Sequence, residues 1–259
     1  AKANLPDKRG PSAGVRQLAI AGSRPERKIM KITSVILRLA FAGMLVLLAL
    51  FAWENRDALV QRISIPVAGN PTSRGAFDAW LAEEPGRAEE FAGFEALLQQ
   101  EGVAEVVEPW QLMRIDAYFA RKCDTAPFAI PPKELWPAVV PALRLVRDEV
   151  IPVVGPVQVL SSYRTPELNA CAGGAARSNH LEFSALDLAT APRKGGEALY
   201  RDLCAMHEAA GPASRMGLGA YYDPAEGDYS GGRFHIDGEG YRNWGRSYTS
   251  ASSPCRSFD

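Results

Sequence analysis

Two short segments late in the chain restrict its fold more than any others. Residues 185–189 and 233–237 alternate side chains at the period of a β-strand, and each carries a metal-ligating group at its centre. In the first, Asp187 points away from Leu186 and Leu188 and shares its face with the small Ala185 and Ala189. In the second, Phe234 and Ile236 face a core, so His235 shares the other face with Arg233 and Asp237. Such strands can set both ligands on one face of a sheet. His180 reaches in from the loop before the first strand. A hydrolytic zinc site takes three protein ligands and keeps one position open, and two imidazoles with a carboxylate form such a set. His180, Asp187 and His235 are therefore the candidate ligands for Zn2+. The third histidine, His207, lies on a helical segment without this context.

The rest of the pattern reads helix first, strands later. Ser73 is placed to cap a helix bearing Phe77, Trp80 and Leu81. A second helix spans 87–100, with Phe91, Phe94 and Leu98 on one face and Gly102 as its stop. Pro131 and Pro132 open a helix running to about Val150. Residues 157–161 and 218–222 read as further strands, and 195–210 as a helix. The expected fold class is α+β, with helices packed on a small, mainly antiparallel sheet and the zinc site on one sheet face.

Ahead of this body, 32–53 is apolar except for Thr33, Ser34 and Arg38, long enough for one N-terminal transmembrane helix. Residues 1–31 hold eight Lys or Arg against two acids, and no apolar period, so they read as disordered. From Glu54 onward 20 basic face 28 acidic side chains. The basic side stays cytoplasmic, so the body is expected outside, on the periplasmic side, anchored in the inner membrane or secreted if the segment is cleaved. An acidic body argues against nucleic acid as a partner. Met30 is a candidate start of translation. The expected divisions are 1–31 basic terminus, 32–53 anchor, 54–72 linker, 73–150 helical part, 151–245 zinc core and 246–259 tail. Cys123, Cys171, Cys204 and Cys255 form no C-x-x-C pair. An oxidising compartment favours one or two disulfides of open connectivity.

Five words then occur in order: Ser162-Tyr163-Arg164-Thr165-Pro166-Glu167-Leu168-Asn169, Gly173-Gly174-Ala175, Ser178-Asn179-His180, Ala185-Leu186-Asp187 and Phe234-His235-Ile236-Asp237. Together they resemble the M15 family of zinc peptidases, which includes D-alanyl-D-alanine carboxypeptidases and peptidoglycan endopeptidases. The resemblance implies His180, Asp187 and His235 as zinc ligands, and Arg164 as the residue that holds the substrate and steadies an oxyanion. It implies cleavage of peptidoglycan peptides at or near D-alanine. Two positions depart from the pattern. Ser184 replaces a loop glycine, and Gly232 stands where many members carry an acid, three residues before the last histidine. Asp228 is the first candidate for the missing general base. Glu182 and Asp237 also lie near in sequence, and Asp237 also fits a partner that orients a ligand. The rival reading is a non-catalytic, zinc-containing cell-wall-binding protein of the same fold.

Overall fold

The computed structural model describes residues 41–44 and 70–258. Most of the apolar run at 32–53 lies outside the described residues, and among those described no helix is long and apolar enough to cross a membrane. Residues 70–258 belong to one compact unit.

Two helices open this unit, α1 (Arg74–Ala82) and α2 (Arg87–Gln100). Ser73 caps α1 by accepting from Ala76 N. Phe77, Phe91 and Phe94 turn inward, Phe77 meeting Phe91 edge to face. Asp116 caps the short α3 (Ala117–Lys122) through the N–H groups of Tyr118 and Phe119. The single helix expected up to Val150 is instead broken. A 3-10 stretch at Lys133–Val139 leads into α4 (Val140–Leu145), a π turn at Val146–Val150 and α5 (Ile151–Val154). Pro137, Pro141 and Pro152 cause the breaks, because each removes a backbone donor from the ladder.

The sheet has the order β1-β2-β6-β3-β7. Its strands are β1 (Val157–Ser161), β2 (Ala185–Thr190), β3 (Gly217–Ala220), β6 (Phe234–Asp237) and β7 (Arg242–Trp244). All neighbours are antiparallel except β3 and β7. A separate ribbon pairs β4 (Tyr222–Asp223) with β5 (Gly227–Asp228). Helices α6 (Pro166–Ala172) and α7 (Glu197–Ala210) complete the fold. One hydrophobic core runs from Phe77 in α1 to Ile236 in β6, across the division drawn at 150/151.

The outer edge of β1 is covered rather than bare. Gln111 accepts from Val159 N, and the buried Arg114 donates to Thr72 O and Val159 O while lying over Trp110. These contacts occupy an edge that would otherwise recruit another strand. Two disulfides settle the open connectivity: Cys123–Cys171 ties the end of α3 to α6, and Cys204–Cys255 ties the C-terminal segment to α7.

Candidate metal centre

Asp187 and His235 face one another directly across the β2–β6 pair. The alternation that sends Leu186, Leu188, Phe234 and Ile236 into the core sends these two to the other face. His180 joins them from the preceding loop. Its backbone carbonyl accepts from Arg164 N, and its Nδ1 donates to Ser162 O. Two bonds thus staple the Ser162–Arg164 stretch to the histidine loop. Because a carbonyl can only accept, Nδ1 carries the proton, and Nε2, 3.5 Å from Asp187 Oδ1, keeps its lone pair for a metal ion.

His235 has the opposite orientation. Its Nε2 lies 3.1 Å from Asp237 Oδ2 and its Nδ1 lies 3.2 Å from Asp187 Oδ1. Asp237, wholly buried, also accepts from Glu239 N and from both terminal nitrogens of Arg242. It therefore directs the His235 ring, as an outer partner of a metal-binding imidazole does. Arg164 Nη2 donates to Asp187 Oδ2 at 2.9 Å, which leaves Oδ1 for the centre of the cluster. One ligand atom from each of His180, Asp187 and His235 falls within 4.8 Å of the others. Two imidazole lone pairs and one carboxylate oxygen, each steadied by an outer partner, fit the donor chemistry of a zinc ion.

The charges follow from this packing. Burial pushes His180 below its ordinary pKa, with Asp187 opposing. Burial works to raise Asp187, but the histidines and Arg164 overcome it and hold the carboxyl well below the usual range. For His235 burial is outweighed by hydrogen bonds to Asp187 and Asp237, and its pKa rises.

Two glycines make room for the cluster. In β3, Gly217 stands opposite Asp237 and Gly219 opposite His235. A methyl group at Gly219 would lie 2.9 Å from His235 Cβ, and one at Gly217 would lie 2.5 Å from Asp237 Oδ2. Neither position stood out in the sequence; the signal was glycine at period two in Gly217-Leu218-Gly219.

The cluster opens into a cavity of about 590 Å³. Its walls come from α3 (Phe119), the end of α6 and the loop after it, Tyr221, the loop before β6, and 242–250. Of its lining residues, Asp187 alone is a carboxylate, beside five arginines. Tyr221 also lines it; burial and then Asp187 raise its pKa strongly, so it remains a donor.

The structure does not bring Asp228 to this cavity. Its carboxylate accepts from Gly196 N, Ser230 N and the hydroxyls of Tyr200 and Ser230, pinning β5 to the start of α7. Glu182 is exposed and also absent from the lining. Gly232 is closed to any side chain. Its φ is +79°, and a Cβ there would lie 1.9 Å from Lys194 O. The acid expected three residues before His235 therefore has no room in this backbone.

Residues 121–217 match the family model described as Peptidase M15. The match includes Arg164, His180 and Asp187 and ends before His235. No curated protein and no solved structure matches the chain. The chain thus resembles the M15 peptidases, which supports its being a peptidase.

Proposed function

We propose, for a chain with this family resemblance, a zinc-dependent peptidase that cleaves peptidoglycan peptides at or near D-alanine, as a carboxypeptidase or an endopeptidase. The convergence of His180, Asp187 and His235 at one end of an arginine-lined cavity carries the reading. Zinc, when bound by these three, supplies a water of pKa near ~7 and polarises a peptide carbonyl. The chain's own residues do the rest. Ser162 O and Asp237 fix the two imidazoles, and Arg164 fixes the carboxylate. Arg164, Arg233 and Tyr221 line the cavity with donors suited to a carbonyl oxygen that gains negative charge.

We propose further that the body is exported, on two grounds. The apolar run at 32–53 follows a basic segment, and both disulfides suit an oxidising compartment. The test is digestion of purified peptidoglycan by the protein with zinc, without zinc, and as His180→Ala. Products that require both zinc and His180 support the reading, and their masses name the bond.

One observation favours a second reading, a zinc-containing cell-wall-binding protein that does not hydrolyse. Gly232 excludes the family's acid, and no carboxylate except Asp187 lines the cavity. One bound zinc, retention on peptidoglycan and no released product under any condition would select it.

A further inference from the structure

The cavity's five arginines are Arg164, Arg177, Arg233, Arg242 and Arg246. Two of them have a carboxylate behind the wall. Arg233 pairs with Asp116 and Arg242 with Asp237, and both acids are buried outside the lining. Each pair therefore shows its guanidinium to the cavity and hides its counter-charge. Arg164 pairs with Asp187 inside the cavity, and Arg246 pairs with Glu226 in solvent. Arg177 is exposed and has no ion-pair partner among the described residues. A concave wall with this arrangement concentrates a positive field and attracts anions.

Tyr248 lines the same cavity under conditions that packing does not explain. It is 74% exposed, and its φ is +57°, a region that strains a bulky side chain. The segment nonetheless fixes its backbone. Tyr248 N donates to Gly245 O, Ser247 N donates to Ser252 Oγ, and Cys255 is bonded to Cys204. An exposed aromatic ring on a fixed backbone offers contact area for the loss of only two side-chain torsions on binding.

We propose that Arg177 and Tyr248 form a recognition point for an acidic segment of the substrate, away from the bond that is cut. Arg177 takes a side-chain carboxylate of the peptide, and Tyr248 packs on the adjoining chain. The occupant's being a peptide rests on the peptidase reading; its negative charge rests on the arginine wall. The site accordingly selects peptides that carry a carboxylate in addition to their C-terminus.

The test uses two pentapeptides, Ala-Glu-Lys-D-Ala-D-Ala and its counterpart with Gln in place of Glu. Binding to the full-length protein is measured by calorimetry in the presence of a chelator, so that no turnover intervenes. Hydrolysis by the zinc-loaded protein is followed separately. The Glu peptide is expected to bind about tenfold more tightly, the worth of one charge-assisted hydrogen bond. Arg177→Gln is expected to abolish that preference without weakening the Gln peptide. Tyr248→Ala is expected to weaken both peptides about fivefold, with Tyr248→Phe unchanged, on the scale of a contact residue. Thermal unfolding confirms that each variant is folded. Equal affinity of the wild type for both peptides, or a preference that survives Arg177→Gln, overturns the proposal. Preferential binding without any hydrolysis leaves it standing and removes the peptidase reading. Hydrolysis without preference does the reverse.

Discussion

Replacing Gly219 by alanine tests whether β3 is built around the cluster. The added methyl falls 2.9 Å from His235 Cβ and 3.0 Å from Trp244 Cε2 and Nε1. Carbon contacts relax near ~3.5 Å, so the neighbours must withdraw by about 0.5 Å. His235 cannot withdraw alone, because β6 is paired to β2 on one side and to β3 on the other. Metal–ligand distances tolerate about 0.2 Å, so an imidazole displaced this far would be out of reach of a zinc ion held by the other two residues. Zinc affinity is expected to fall at least about tenfold, or about 1.4 kcal/mol. Overpacking is expected to cost a further ~1–3 kcal/mol of stability, and each kcal/mol lowers Tm by about 2–4 °C in a unit of this size. Competition against a chromophoric chelator reads the first quantity and calorimetric unfolding the second. A Gly219→Ala protein that binds zinc within about twofold of the wild type would refute the reasoning.

The contrasting glycine is Gly93, inside α2, where a methyl meets only the Trp136 ring at 3.5 Å. Gly93→Ala is expected to raise stability by about 0.5–1 kcal/mol in urea unfolding and to leave zinc affinity unchanged; a loss would show that the Trp136 contact is tighter than it looks. Cys255→Ser opens a crosslink spanning a sequence separation of 51 and is expected to cost about 4 kcal/mol, read from urea unfolding beside the reduced wild type; less than ~1 kcal/mol would count against the crosslink as a major constraint. His207 gives a pH signature. Its Nε2 donates to Met216 O and Arg242 O, and burial holds its pKa below the ordinary ~6.5 despite those acceptors. Below about pH 6.5 the unfolded chain therefore takes up a proton that the folded chain refuses. Stability should decline there by up to about 1.4 kcal/mol per pH unit until the folded pKa is reached. His207→Gln should flatten that decline in urea titrations at pH 7.5 and 5.5, and an unaltered slope would assign it to other groups.

Much of the fold was written in local pattern. The strand at 157–161 and the helix at 87–100 occupy the expected residues, because alternating Val and Leu in one and spaced Phe and Leu in the other leave few alternatives. The stretch after Pro132 was harder. Its apolar spacing is helical throughout, while its prolines act on individual backbone bonds and divide it. At the site, strand alternation was enough to bring Asp187 and His235 face to face. Asp228 shows the limit of sequence proximity. It lies near His235 along the chain, yet Gly196, Tyr200 and Ser230 claim its oxygens. The role of 244–250 was not legible, because a polar stretch without period shows no partner until the fold and the Cys204–Cys255 bond place it.

The walls of the cavity come from residues as far apart as Phe119 and Ser250. During synthesis, Trp244, Arg246 and Tyr248 emerge after all three cluster residues have been made. The Cys204–Cys255 bond that fastens their segment closes later still. A nascent chain can thus carry the cluster while one side of its cleft is missing. The last wall of the cavity is therefore the part of the fold that a reducing environment leaves untied.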